Sequence, residues 1–292
     1  MAREGDPTLA EAADRLGVHY MTAYRYVRTG LLPAEKVGRR WLVDPEVLEA
    51  LVAGRAGGIE PGGGGAGRAA SAPAGRAGYA LRMERRLVAG DEAGAWKLVE
   101  DAMASGVDPS DVLLEVLTPA LAAIGSGWRA GDLRVVDEHQ ATAVVGRLVA
   151  RLGPRFSVRG EPIGRVIVGA APGDMHALPS SILRDLLRGR RFDAVDLGGD
   201  APPESWADAV RASADQGIRL VAVGMGAMAQ GVDDGVAAAI AAIRTAGPLG
   251  AAVPVVLGGS AIPDGDVARR LGADRYTRST AEAVDTIVSL AT

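Results

Sequence analysis

Three histidines, His19, His139 and His176, are the side chains best suited to hold a metal or move a proton in this chain, which has no cysteine. The missing thiols exclude disulfides, thiolate metal sites and thiol nucleophiles together. His176 sits in Gly169-Ala-Ala-Pro-Gly-Asp174-Met175-His176-Ala-Leu-Pro, directly after an apolar run. A loop histidine there can give one ring nitrogen to a metal while Asp174, two residues earlier, orients the other. A loop histidine bonded to backbone is the ordinary alternative, and for a lone histidine it is the better one. Trp128 and the pair Glu138-His139, with nine residues between, form a second group. Taken alone, they read as a core tryptophan and a surface pair on a helix. A third group is basic: residues 19–41 hold Arg25, Arg28, Lys36, Arg39 and Arg40 against one acid, Glu35, in a chain of net charge −4. Charge judged by segment therefore leaves a polyanion-binding module open.

The elements that must position these groups follow from apolar periodicity. From residue 163, short apolar runs at 165–170, 194–197, 220–223 and 253–257, with a weak fifth at 275–277, alternate with amphipathic helices near 180–189, 203–216, 232–245, 264–271 and 280–290. Alternating strand and helix predict a parallel sheet covered on both faces. Ligands on such sheets bind beyond the carboxyl ends of the strands, so the loops at 171–179, 198–202, 224–230 and 258–262 should converge. Residues 79–152 carry a three-to-four apolar spacing that predicts four antiparallel helices, with Asp108-Pro109 as a helix start and Gly125, Gly127 and Gly131 bracketing a break. Residues 54–78, rich in Gly, Ala and Pro, read as a flexible linker. Ahead of it, Thr8 and Glu11 fit a capping box for a helix over 9–15, a Gly17 turn follows, and a second helix over 20–28 would offer Tyr20, Met21, Tyr24, Arg25 and Arg28. From the residues alone this is equally a DNA reader or a basic protein-interaction module. The domains expected are thus 1–53, a linker 54–78, a helical bundle 79–155 and a sheet domain 160–292.

With 292 residues, 48% hydrophobic and 23% charged, the chain has the balance of an ordinary multidomain globular protein. No run reaches the roughly 18 apolar residues of a membrane span, and the N-terminus lacks the apolar core of a secretion signal. The expectation is a soluble cytoplasmic protein with no membrane partner.

Resemblance narrows the alternatives. The string TLAEAADRLGVHYMTAYRYVRTGLLPAEKVGRRWLVDPEVLEALV resembles the winged helix of the MerR and excisionase type, with His19 where the family usually has a Ser or Thr cap. That resemblance implies a recognition helix in the major groove of an operator and Arg39 and Arg40 on phosphates. Asp174-x-His176 after the first strand resembles the cobalamin-binding signature of methionine synthase and its relatives. It implies a flavodoxin-like cobalamin domain in which His176 is the lower cobalt ligand, Asp174 orients it and Met175 lies between. The nucleotide tail would then thread past small residues at Gly198, Gly224, Gly258, Gly259 and Ser260. Pro179 replaces the family's Gly, and Gly224 stands for its Ser. Trp128, nine residues, then Glu138-His139 is similar to the CarH and LitR photoreceptors, which also share this domain order. The resemblance implies that the bundle caps the upper cobalamin face and that an adenosyl group sits near Trp128, Val135, Glu138 and His139. Arg129 departs from the histidine that follows the Trp in family members forming a stable light-adapted adduct.

The reading is a light-responsive, adenosylcobalamin-dependent regulator, not an enzyme, that assembles as a dimer or tetramer on its operator. The rivals are a light-independent cobalamin sensor, a photoreceptor with a non-covalent bilin as second chromophore, and a corrinoid methyl carrier.

Overall fold

The computed structural model describes residues 6–16, 27, 32–37, 40–45, 47–49 and 73–291. It forms two compact units, Met1–Gly65 and Ala66–Thr292.

In the first unit, helix α1 (Leu9–Arg15) starts with the expected capping box. Thr8 Oγ1 accepts from the Glu11 amide at 3.3 Å, and the Thr8 amide donates to Glu11 Oε2 at 2.8 Å. Leu9, Ala12, Ala13 and Leu16 share a small core with Leu32, Val43 and Leu48. Strands β1 (Ala34–Val37) and β2 (Arg40–Val43) form an antiparallel hairpin that pairs Val37 with Arg40. The expected second helix, with Tyr20, Met21, Tyr24, Arg25 and Arg28, lies outside the described residues, as do His19 and Arg39; of Arg40 only the backbone is described.

The second unit opens with four helices: α2 (Pro73–Val88), α3 (Glu92–Ala104), α4 (Pro109–Arg129) and α5 (Val135–Leu152). They share one core that includes Met83, Leu87, Val99, Leu113, Leu117, Ile124, Val145 and Leu148. Helix α4 is long and apolar enough to cross a bilayer, yet its Val112, Leu113, Val116, Leu117, Ala120 and Ile124 are buried in that core. The helix widens to a π turn at Val112–Leu117, because Pro119 lacks the amide that would close the ladder there.

Two expectations need correction. Residues 73–78, placed in the linker, are helical: Pro73 is tolerated in a first turn, and Ala74 and Ala77 favour helix despite Gly75 and Gly78. Gly125 and Gly127 do not break the chain either. Helix α4 continues through them to Arg129, and the Gly127 carbonyl accepts the amides of Asp132 and Leu133, so the turn centres on Gly131. A Cβ at 127 would press on the Leu133 side chain at 3.1 Å, so that leucine packs directly on the helix backbone.

The rest is a five-stranded parallel sheet of order β4-β3-β5-β6-β7, built from β3 (Arg165–Ala170), β4 (Asp193–Asp196), β5 (Leu220–Gly226), β6 (Val255–Gly258) and β7 (Arg275–Thr277). This is the flavodoxin-like doubly wound order, whose switch point lies between β3 and β5. Helices α6 (Leu178–Gly189) and α11 (Thr280–Ser289) cover one face, with Leu183 and Ile287 packed on Val166, Val168 and Val256. Helices α7 (Pro203–Asp215) and α8 (Asp233–Arg244) cover the other through Trp206, Val210, Val236 and Ile240. The short helices α9 (Pro248–Ala252) and α10 (Gly265–Arg270) complete the crossovers.

Helix α5 joins the two halves of this unit. A Cβ on Gly146 would touch Leu178 at 3.8 Å, and one on Gly153 would meet Asp185 at 3.3 Å. Both contacts advance by seven residues, so α5 and α6 run parallel. The first eleven residues of α5, about 16 Å at 1.5 Å each, therefore rise past the start of α6, above the carboxyl ends of the strands.

Candidate functional site

Strand β3 ends at Ala170, and the loop after it carries Asp174 and His176 at the switch point. The Asp174 side chain is 0% exposed and accepts four N–H groups. Its Oδ1 takes His176 Nδ1 at 2.6 Å and the His176 amide at 3.1 Å. Its Oδ2 takes the amides of Met228 at 2.5 Å and Ala229 at 3.3 Å, both beyond β5. Burial works against the Asp174 charge, but the Met228 amide and the His176 ring and amide outweigh it and hold the carboxyl below its usual range. An ionised Asp174 fixes the proton on Nδ1, which leaves the Nε2 lone pair free. The His176 side chain is 56% exposed, and Nε2 has no hydrogen-bond partner among the described residues.

The other expected positions gather around this pair. Gly198, at φ +76, accepts the Ala170 amide on its carbonyl, and its own amide donates to Asp196 Oδ1 at 3.0 Å. Gly259 is at φ +121, and a Cβ there would lie 2.1 Å from the Ala227 carbonyl. Ser260 Oγ donates to the Met228 carbonyl at 3.3 Å, so this loop connects through Met228 to Asp174.

Small residues line the strand ends on the α6/α11 face. Ala170, Gly226, Gly258 and Thr277 pair in one register row across β3, β5, β6 and β7. A Cβ on Gly226 would meet only the Gly169 carbonyl, at 3.7 Å. Toward β7 the row is closed, since Thr277 is buried and a Cβ on Gly258 would lie 2.8 Å from its carbonyl and hydroxyl oxygens; at the β4 side Ser181 donates to Asp196. Here the expectation for Gly224 is corrected: it does not follow the strand but lies inside it, buried under Leu183 and Ile287, because β5 pairs with β3 as far as Gly226. Gly226 holds the strand-end position instead.

Above the strand ends, Val135, Glu138, Thr142 and Gly146 fall on one stripe of α5, the stripe that meets Leu178 at Gly146. Thr142 Oγ1 donates to Glu138 Oε1 at 2.9 Å, which sets that carboxylate. Trp128, at the end of α4, is 46% exposed, and Val135 is 52% exposed. Met175, in the His176 loop, is 76% exposed. Exposed apolar groups thus occur both on the helical layer and in the His176 loop, a common mark of ligand sites. His139 lies beside Glu138, 3.7 Å from its carboxylate, with its ring mostly in solvent. Arg129 bonds Ser126 Oγ at 3.2 Å. Pro179 sits in the first turn of α6, where its missing amide costs nothing.

Sequence reasoning missed three partners of the His176 loop: the amides of Met228 and Ala229, and Asp200. Backbone donors leave no trace in residue type. Asp200 does carry one, as the acidic residue ending Gly198-Gly199-Asp200.

Comparison with known proteins bears on both units. Residues 80–152 match the family described as B12 binding domain, and residues 8–56 match the one described as Helix-turn-helix domain. The trimethylamine corrinoid protein 1 of Methanosarcina acetivorans is 24% identical over 68% of this chain and 89% of its own length. The monomethylamine corrinoid protein 1 of Methanosarcina mazei is 26% identical over 50% of this chain and 68% of its own. Among solved structures, the Methanosarcina barkeri monomethylamine corrinoid protein superposes with a TM-score of 0.62 at 20% identity, covering 72% of this chain and 96% of that one. The likeness establishes a shared fold for the helical layer and sheet. The segment that matches a helix-turn-helix domain thus precedes the helices that match a B12 binding domain, and a parallel sheet follows them.

Proposed function

We propose that this protein is a cytoplasmic, cobalamin-binding transcriptional regulator and not itself an enzyme. The observation that carries the reading is the open Nε2 of His176, set by a buried Asp174 at the sheet's switch point, in a chain that also holds a helix-turn-helix domain. Among the described residues no three His, Asp or Glu side chains converge as a metal cage. A single histidine suits a metal that arrives with most of its ligands in place, as cobalt does in a corrin ring. The small residues Ala170, Gly226 and Gly258 in one row at the strand ends suit the nucleotide tail that the histidine displaces. The residues present therefore fit the cofactor.

In this reading His176 would hold the lower face and Trp128, Val135 and Glu138 would flank the upper one, beneath the overhang of α5. Bound as adenosylcobalamin, the cofactor would supply a cobalt–carbon bond that visible light breaks. The bundle residues would respond to whether the upper group fills the space beside Trp128, a ligand-biased switch between two packings. Coupled to a dimer or tetramer, the switch would gather several DNA-binding domains on one operator and strengthen binding by multivalency.

Arg129 favours one variation, a cobalamin sensor without light: its guanidinium has no lone pair to offer cobalt after Trp128. A non-covalent bilin over the same face is a further variation. The corrinoid proteins among the relatives favour a second reading, a methyl carrier, for which the helix-turn-helix domain has no use. Loading the full chain with adenosylcobalamin in the dark, then recording absorbance and elution volume before and after green light, separates these readings. A shift in both supports the light-switched regulator, a stable complex indifferent to light supports the sensor, and exchange of a methyl group with an added methyltransferase supports the carrier.

A further inference from the structure

Two non-glycine residues among those described have positive φ: Arg191 at +67, at the far end of the sheet, and Asp200 at +49, beside the His176 loop. A left-handed aspartate costs free energy unless its surroundings impose it, and here both neighbours are pinned. Before it, Gly199 passes under the Met175 carbonyl so closely that a Cβ would lie 2.9 Å from that oxygen. After it, the Ala201 amide donates to the Ala170 carbonyl at 3.3 Å, while the indole of the fully buried Trp206 donates to the Ala201 carbonyl at 3.0 Å. Held in this way, Asp200 makes two bonds to the neighbouring loop. Its Oδ1 accepts the Gly173 amide at 2.7 Å, and its own amide donates to the Asp174 carbonyl at 2.6 Å. The residue is exposed, so its carboxylate fills no core.

We propose that Asp200 is a second positioning residue for His176: Asp174 sets the imidazole ring, and Asp200, from the next strand end, sets the backbone that carries Asp174. The proposal rests on the reading of His176 as the cobalt ligand. Asp200 does not touch the ring. It acts by bracing the turn at Gly173, itself at φ +83, which the Asp174 amide closes on the Ala171 carbonyl at 3.0 Å.

The test uses the full chain, methylcobalamin and the variants Asp200→Gly, Asp200→Asn and His176→Ala. Glycine accepts the left-handed backbone without strain, so Asp200→Gly removes only the carboxylate. Asparagine keeps a carbonyl oxygen to accept the Gly173 amide. Two quantities are read: the dissociation constant, and the absorbance spectrum of bound methylcobalamin, which distinguishes nitrogen-ligated from unligated cobalt. The expected result is an Asp200→Gly protein that melts with wild type, binds about tenfold or more weakly and shows a spectrum shifted toward that of His176→Ala. Asp200→Asn should restore both. Wild-type ligation in Asp200→Gly, or equal loss in Asp200→Asn, overturns the clamp while leaving His176 as ligand. A wild type that binds no methylcobalamin, or an unchanged spectrum in His176→Ala, overturns the underlying reading and the clamp with it.

Discussion

Replacing Asp174 by Asn changes one atom of the buried network and should change which nitrogen of His176 carries the proton. The Oδ2 position faces two fixed backbone donors, the amides of Met228 and Ala229, against one at Oδ1, the His176 amide, so the carbonyl oxygen of an asparagine should take that place. The amide nitrogen then faces His176 Nδ1 and can only donate. The imidazole must answer with its lone pair on Nδ1, which moves the proton to Nε2 and closes the outward position to metal. Bonds to the carboxylate are worth about 1.5–3 kcal/mol each and neutral ones about 0.5–1.5. The His176 amide at 3.1 Å also loses its acceptor. Asp174→Asn should therefore lower stability by about 1–3 kcal/mol, or roughly 2–4 °C of melting temperature per kcal/mol for a domain of this size. Affinity for cobalamin should fall about 10–100-fold, the usual effect of losing an outer partner of a metal-bound histidine. Calorimetry reads the first quantity, and titration of methylcobalamin followed by absorbance reads the second. A folded Asp174→Asn protein with wild-type affinity and a nitrogen-ligated spectrum would refute the tautomer argument.

Three further outcomes follow from the same geometry. Gly226→Leu should place a side chain at the strand ends, where a Cβ meets only the Gly169 carbonyl at 3.7 Å; the protein should stay folded yet lose cobalamin on gel filtration, and retained binding would show that the tail lies elsewhere. Gly259→Ala should lose about 1–3 kcal/mol through strain at φ +121, and more through the contact with Ala227, so a wild-type melting temperature would contradict the loop geometry. Asp185 supplies a pH dependence. Burial, the largest influence, lifts its carboxyl above the ordinary value against the pull of Arg184 and Arg188, and Asp196 adds to the rise. The folded chain thus holds that proton more tightly than the unfolded one. Wild-type stability from this residue is highest below the unfolded value of 3.8 and declines as pH rises through the lifted one. Asp185→Asn should gain on wild type from pH 4 to pH 7, and a constant difference in melting temperature across that range would contradict it.

Much of the fold is legible in the sequence because its signals are local. Runs such as 165–170 alternate with amphipathic helices, and even the three-residue β7 was visible at Arg275–Thr277. Thr8 with Glu11, and Asp108 with Pro109, mark helix starts through caps that the structure contains. What failed depends on tertiary context. Gly125 and Gly127 look like breakers until Leu133 is seen packing on the second. Gly224 looks like a loop residue in VAVGMGAM, because a glycine inside a strand and one just past it share the same letters. Helix α9 has only five residues, too few to show a period. At the site, the pairing of Asp174 with His176 was readable from spacing, while the amides that charge Asp174 and the clamp at Asp200 come from loops 25 or more residues away.

The central claim is that cobalamin held by His176 controls DNA binding by the helix-turn-helix domain. The direct measurement selects duplexes from a random DNA library with the full chain, then compares affinity for a selected duplex with and without adenosylcobalamin in the dark, in wild type and His176→Ala. The expected result is tighter or weaker binding on loading in wild type and no effect of the cofactor in His176→Ala. Equal affinity in all four samples, with the cofactor bound to wild type, would contradict the claim.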